Sequence, residues 1–422
     1  MSWWAGSLGM YLALLHDSRS MVYRVLMGQC QQRRQPNMAL QRSNWIGAFL
    51  VSRRGKTVFS VYPCSVLQPP AERQLVRRTC AGAIPQDACR LEERRQLVQP
   101  TQPVPPVGGS ITAAGRRLFV HQSGAGRAPV VFLAGAGTVG LDYLNVAQQA
   151  AQLSTSLLYD RAGTGWSDPV ELPRTSTQVT DELRDLLNAA GVAAPYVLVG
   201  HSLGGLYARH YAVRFPDAVE GLLLLDPAHE DWDAYMPPEL TDLRRGWSQR
   251  QLGRLGDLAL DAAMRSALGR SVLLRMPVIR RYRELYRDLF AQEMADWPQE
   301  VRAVLIERHA SLDWLWVGVR ESRNVEQLYD EMRHAGPMPD RPMIILCSMG
   351  TDGFKDAVSV GESPSLLQAE IDGKLRLYTA LAGSVPRGEV RLVDSGHVTM
   401  HLRHPEAVIE AIGDLLRPGD TK

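Results

Sequence analysis

The stretch from Ala194 to Pro227, "APYVLVGHSLGGLYARHYAVRFPDAVEGLLLLDP", constrains the fold more than any other part of the chain. It reads as a strand ("PYVLVG"), a helix ("SLGGLYARHYAVRFP") and a second strand ("VEGLLLLDP"). Short runs this apolar are buried on both faces, which is the habit of a parallel sheet covered by helices. The same alternation continues on either side. "RRLFVHQSG", "APVVFLAGAG" and "TSLLYDRAG" read as strands, the last ending at Tyr159. "STQVTDELRDLLNAAG" reads as an amphipathic helix with a Ser or Thr cap and a closing Gly191. Later come a strand "RPMIILCSMG", a helix "PSLLQAEIDGKLRLYTALAG", a strand "EVRLVDSG" and a helix "PEAVIEAIGDLLR". The expected class is α/β, a mostly parallel central sheet with helices on both faces. Functional groups in such sheets gather past the carboxyl ends of the strands.

Residues 229–340 interrupt the alternation. They are too many for a loop, and their patterns are helical, so a helical block is expected between the core segments 110–228 and 341–422. Five of the nine tryptophans lie in it: Trp232, Trp247, Trp297, Trp314 and Trp316. Residues 1–100 differ in kind. They hold 14 Lys+Arg against 5 Asp+Glu, so with +2 overall the other residues carry −7. They also hold four of the five cysteines: Cys30, Cys64, Cys80 and Cys89. They read as a basic, poorly ordered N-terminal extension, joined to the core by a Pro/Gly linker at 101–109, "TQPVPPVGG". The cysteine spacings match no zinc module, and free thiols are expected. A net charge of +2 gives no reason to expect a nucleic-acid partner. No stretch is long and apolar enough to span a membrane. "MSWWAGSLGMYLALLH" lacks the basic start and small-x-small end of an export signal, which makes the cytoplasm the expected compartment.

The Gly-x-Ser-x-Gly string at 200–204 is weak by itself. In a chain with 36 glycines among 422 residues, composition alone yields on the order of 0.1–0.2 matches. Its setting strengthens it. A serine on a sharp turn between strand and helix stands clear of the sheet, and such a turn crowds the positions two before and two after it. Those are Gly200 and Gly204. Ser202 is therefore the candidate nucleophile, and it needs a base. "RLVDSGHVTMHLRHPEAV" offers His397, His401 and His404. His397 directly follows the last strand and is the expected base, while His401 and His404 read as surface or capping residues. His201 reads as packing beneath the turn. A carboxylate must hold the imidazole. Asp352 in "SMGTDGF" is favoured, followed by Asp226 at the end of "GLLLLDP" and Asp356. The loop after "VVFLAG" and the turn after Ser202 supply candidate oxyanion donors, the backbone N–H groups of Ala136 and Leu203.

Residues from about 110 to 417 resemble the α/β-hydrolase fold superfamily, in its serine-hydrolase branch with a helical cap. The pieces that carry the likeness are "VVFLAGAG", "YDRAGTGWSDP", "VLVGHSLGG" and "VDSGHVTMHLRHPEAVIEAI", in the family's order. Many relatives have His-Gly where this chain has Ala134-Gly135, and the span from Asp352 to His397 is long for the family. The resemblance implies Ser202 as nucleophile, His397 as base, an acid between them and "YDRAGTGWSDP" as a structural loop beside the site. It implies a helical cap over the pocket and hydrolysis of an ester or related acyl bond in a small, apolar molecule, with no metal or organic cofactor. Carbon–carbon bond hydrolysis, aminopeptidase-like cleavage and cofactor-free perhydrolysis use the same three residues. A non-catalytic ligand-binding protein is the alternative of another class.

Overall fold

The computed structural model describes residues 104–241, 251–358 and 363–417, together with a two-residue antiparallel ladder of Ser52–Arg53 on Lys56–Thr57. Contacts divide the chain into two units, the smaller spanning Val22–Gln102. That ladder is its described part. The expectations for residues 1–100 otherwise lie outside the described residues.

The centre of the larger unit is an eight-stranded sheet. The strands are β1 (Gly109–Ala113), β2 (Arg116–Ser123), β3 (Val130–Leu133), β4 (Ser156–Tyr159), β5 (Tyr196–His201), β6 (Val219–Leu225), β7 (Met343–Ser348) and β8 (Gly388–Val393). Their spatial order is β8-β7-β6-β5-β3-β4-β2-β1. The β1–β2 and β2–β4 pairs are antiparallel, and all others are parallel. β1 begins inside the stretch the sequence assigns to the linker, because "GSITA" pairs with β2 across a tight Ala114-Gly115 turn.

Every residue of β3, β4, β5 and β7 is buried, which is what a strand covered on both faces requires. The cover comes from helices between the strands. Leu144–Ala150 (α1) packs with the last helix, Pro405–Leu416, and Ser176–Ala189 (α2) with Leu203–Arg214 (α3). α2 starts on Thr175, whose hydroxyl accepts from Gln178 N while the Gln178 side chain accepts from Thr175 N, a reciprocal cap. The chain passes from β3 outward to β4 and then returns to β5 on the other side of β3. The loops after β3 and β5 therefore diverge, and a crevice opens at their carboxyl ends.

Between β6 and β7 stand the helices Trp232–Tyr235, Gln251–Arg265, Ala267–Arg275, Pro277–Glu293, Gln299–His309 (α4), Leu312–Glu321 (α5) and Val325–His334. Among the described residues no helix is long and apolar enough to cross a membrane.

Candidate active site

The turn after β5 has the strained geometry a nucleophile elbow needs. Ser202 has φ 53° and ψ −118°, a region costly for any residue with a Cβ. Neighbouring backbone over-determines it. Its N–H donates to Leu225 O at 3.0 Å, and its carbonyl accepts from Gly205 N (3.0 Å) and Ala228 N (2.8 Å). The two flanking glycines are steric necessities. A Cβ on Gly200 would lie 2.6 Å from Gly204 O, and one on Gly204 would lie 2.0 Å from Leu133 O. The start of α3 is thus pressed onto the end of β3, and Gly135 in the next loop lies beside the Ser202 side chain.

β5 and β6 run in register, with His201 opposite Leu225. Asp226, the residue after Leu225, is consequently level with Ser202 on the adjacent strand end. His397 comes from the loop after β8, and its Nδ1 lies 2.6 Å from Asp226 Oδ2. A carboxylate only accepts, so Nδ1 carries the proton and the Nε2 lone pair is the basic position. Burial pushes the His397 pKa well below the ordinary imidazole range, against the upward pull of Asp226, so the resting ring is neutral. Burial alone would raise the Asp226 pKa. The Lys374 ammonium and the hydrogen bond from His397 outweigh it and hold the carboxyl well below its usual range.

This geometry corrects the expectation that Asp352 holds His397. The Asp352 carboxylate is occupied elsewhere: Oδ1 accepts from Lys355 N at 2.9 Å, capping the helix Gly353–Val358, and Oδ2 accepts from Val398 N at 2.9 Å. A Cβ on Gly396 would strike it at 2.3 Å. Asp352 therefore clamps the turn that carries His397. Asp356, the third candidate, is exposed on that short helix.

The loop after β3 is held from both sides. The Gly135 N–H donates to the Tyr143 hydroxyl (3.3 Å), and the Gly137 N–H donates to Glu321 Oε2 (3.0 Å). Ala136 stands between them. Among the described residues neither the Ala136 nor the Leu203 N–H has a hydrogen-bond partner. The buried Arg161 guanidinium grips the same loop, donating to Ala134 O (2.6 Å) and Gly135 O (2.9 Å), and pairs with Glu321 Oε1 at 2.8 Å. Trp314 Nε1 donates to Gly137 O at 3.0 Å. Glu321 and Trp314 both belong to α5, so the inserted helices reach directly into the loop behind Ala136. Arg161 lies in the "YDRAGTGWSDP" segment that the sequence places beside the site. Nothing local to Glu321 distinguishes it from any other carboxylate on a helix.

Histidines fill the space under the elbow. His201 Nε2 meets His397 O at 2.9 Å; a carbonyl only accepts, so His201 carries its proton on Nε2. Burial drives its pKa down to about 4, so the ring is neutral and Nδ1 accepts the Tyr143 O–H at 2.6 Å. His201 is therefore a support beneath the elbow. His401 corrects its surface assignment: it is buried, stacked on Tyr143 with centroids 4.3 Å apart, and donates from Nε2 to Asp142 O at 3.1 Å. His404 sits at the junction of the last two helices, bonded to Asp394 O. From the inserted helices His309 Nε2 meets Asp142 Oδ1 at 2.8 Å. A small cavity beside Gly137 is lined by Tyr282, Tyr286, His309, Trp314 and Leu315. Among the described residues no group of three or more His, Cys, Asp or Glu side chains converges as metal ligands would.

A family model described as the alpha/beta hydrolase family matches residues 130–411. Curated relatives match over shorter stretches. One is efuK of Hormonema carpetanum, described as a probable transporter, 33% identical over 138 residues, which are 31% of this chain and 20% of that one. Another is YqjL of Bacillus subtilis, 34% identical over 122 residues, which are 28% of this chain and 48% of that one. The chain thus spans less than half the length of these two relatives. Among solved structures, Cfl2 from Burkholderia cenocepacia superposes with a TM-score of 0.50 at 18% identity, over 73% of this chain and 95% of that one, a likeness of fold. The matched segment runs from β3 through the elbow to the last helix, and the chain belongs to the alpha/beta hydrolase family.

Proposed function

We propose that the protein is a serine hydrolase that cleaves an ester or related acyl bond in a small, apolar molecule. The observation that carries the reading is the short Asp226–His397 contact, made at the strand end beside Ser202. Ser202 attacks the carbonyl carbon while His397 Nε2 takes its proton. Asp226 holds Nδ1–H and offsets the charge of the imidazolium. The Ala136 and Leu203 amides receive the oxyanion, helped by the N-terminal dipole of α3. His397 then protonates the leaving group, and water releases the acyl group by the reverse relay. The inserted helices act as a cap, and the aromatic side chains they bring beside Gly137 would meet an apolar acyl or alcohol group once the cap opens.

A fluorophosphonate probe should label the protein, and Ser202→Ala should abolish labelling. Labelling that survives in this variant overturns the assignment of the nucleophile. Asp226→Asn should reduce turnover of a p-nitrophenyl ester by about 10³–10⁴, as loss of a triad acid does. Asp352→Asn should cost about tenfold, since it loosens a turn and leaves the relay intact. The reverse order of those two effects would restore Asp352 as the acid. Across a p-nitrophenyl ester series, turnover indifferent to acyl length would count against an apolar pocket.

A further inference from the structure

The proposed relay does not end at Asp226. Behind the carboxylate lies Lys374, a buried lysine on the helix Pro364–Ala382. Its Nζ stands 3.3 Å from Asp226 Oδ1 and 3.3 Å from Oδ2, 2.8 Å from Ser348 O, and within hydrogen-bond distance of Ser348 Oγ. The Ser348 N–H, at the end of β7, donates to Asp226 Oδ1 at 3.2 Å. One helical turn beyond Lys374, the Tyr378 hydroxyl donates to Pro227 O at 3.0 Å. A single helix face thus grips both residues of the Asp226-Pro227 turn. A lysine is costly to bury unless its charge is used. Here it lies against both carboxylate oxygens, Oδ2 included, which also accepts from His397.

We infer that Lys374 is a positioning residue for the acid of this site, fixing the Asp226 carboxylate against His397 and lowering the pH at which His397 becomes an effective base. The inference rests on the proposed roles of Ser202, His397 and Asp226. The charge logic is direct. An unopposed carboxylate strengthens the imidazole it holds, because it favours the imidazolium. An ammonium held against the same carboxylate cancels part of this effect. Three other described groups near the pair are held uncharged by burial. Tyr378 on the same helix is pushed well above its ordinary pKa, Cys347 on β7 up to about 12, and His201 at the end of β5 down to about 4. Among the described residues Lys374 is the cation against Asp226.

The test is the pH profile of fluorophosphonate labelling, which reads the nucleophile and base without a chosen substrate. Replacing Lys374 by Met or Gln removes the charge, and Gln keeps a hydrogen bond to the carboxylate should Met fail to fold. In either variant the acid limb of the labelling rate should move to higher pH by about one unit. Labelling should then be about tenfold slower below the limb and recover towards the wild-type plateau above it. Lys374→Arg keeps the charge, so its limb should stay in place even if its plateau falls. A limb that does not move in a folded neutral variant overturns the inference. So does uniform slowing at every pH, the mark of a structural role, and so does an Arg variant whose limb moves as far as that of Gln. If neither neutral variant folds, a moved limb in Arg still overturns it, and an unmoved one supports it. Labelling of Ser202→Ala tests the underlying reading separately. If that variant still labels, the triad reading falls; if labelling depends on Ser202 while the limb ignores the charge at 374, only this inference falls.

Discussion

The two walls of the candidate site are built differently. The sheet-side wall is backbone against backbone: Ser202 is locked by carbonyls and amides of Leu225, Gly205 and Ala228, and the elbow lies against the Leu133 carbonyl. The opposite wall is side chain against backbone: Glu321 and Trp314 of α5 hold the Gly137 amide and carbonyl, and Arg161 holds Ala134 and Gly135. The first wall has no slack, since backbone atoms cannot move aside without moving a strand. The second depends on a few buried charges and one indole, each replaceable singly. Perturbing the first should cost the fold, while perturbing the second should reach the proposed reaction as well as stability.

The largest effect is expected at Gly204. Gly204→Ala places a methyl 2.0 Å from the Leu133 carbonyl, where only a strand shift makes room. Such strain belongs to the most destabilising class, about 4 kcal/mol or more. Soluble expression and the thermal midpoint should fall sharply. A variant with wild-type Tm would show that the sheet-side wall does have slack and would erase the contrast.

Glu321→Gln comes next. The amide can still accept from Gly137 N, but its NH₂ faces the Arg161 guanidinium, which loses its counter-charge in a buried setting. Breaking a buried pair from one side costs about 3–5 kcal/mol. Because Arg161 also grips the Ala134 and Gly135 carbonyls, the displacement reaches Ala136. Acylation should slow by about 10–10², in the range for a disturbed oxyanion donor. Burst kinetics with a p-nitrophenyl ester separate that step from deacylation. A lowered Tm with an unchanged acylation rate would make Glu321 a structural anchor with no influence on the proposed oxyanion site.

The same contrast explains what could be read from the sequence. The sheet-side wall is written locally. Two glycines flanking a serine between an apolar run and a helix describe a steric requirement, and the structure supplies its cause in the Leu133 and Gly204 carbonyls. The proposed base was equally legible, because "VDSGH" ends the last strand within a few residues of the ring. The acid was not. Asp226 and Asp352 both follow apolar strands, and what separates them is register: Leu225 pairs with His201, which sets Asp226 level with Ser202. One signal was available. Asp352 lies three residues before an amide it caps, as "TDGFK" suggests, and a carboxylate spent on a helix start is poorly placed to hold an imidazole. For Glu321 there was no signal, since its partners are 160 and 184 residues away. His401 read as polar surface because a histidine stacked on a buried tyrosine has no one-dimensional signature.

The smallest and sharpest test is Trp314→Phe. The substitution keeps an aromatic ring against Trp166 and His309 while removing the indole N–H that donates to Gly137 O. One neutral hydrogen bond to a carbonyl is worth about 1 kcal/mol, so Tm should move by only a few degrees. Glu321 still holds the Gly137 N–H, in the peptide group that joins Ala136 to Gly137, so the Ala136 amide should shift only slightly. Acylation should slow by about two- to fivefold, with deacylation slowed alike, because in the proposed mechanism both steps pass through an oxyanion at the same amide. Equal small losses in the two steps would tie the inserted helices to the oxyanion site by geometry alone. A loss confined to acylation, growing with the size of the acyl group, would mean that Trp314 acts on substrate admission through the cavity it lines. The wall built of side chains would then serve as gate more than as support.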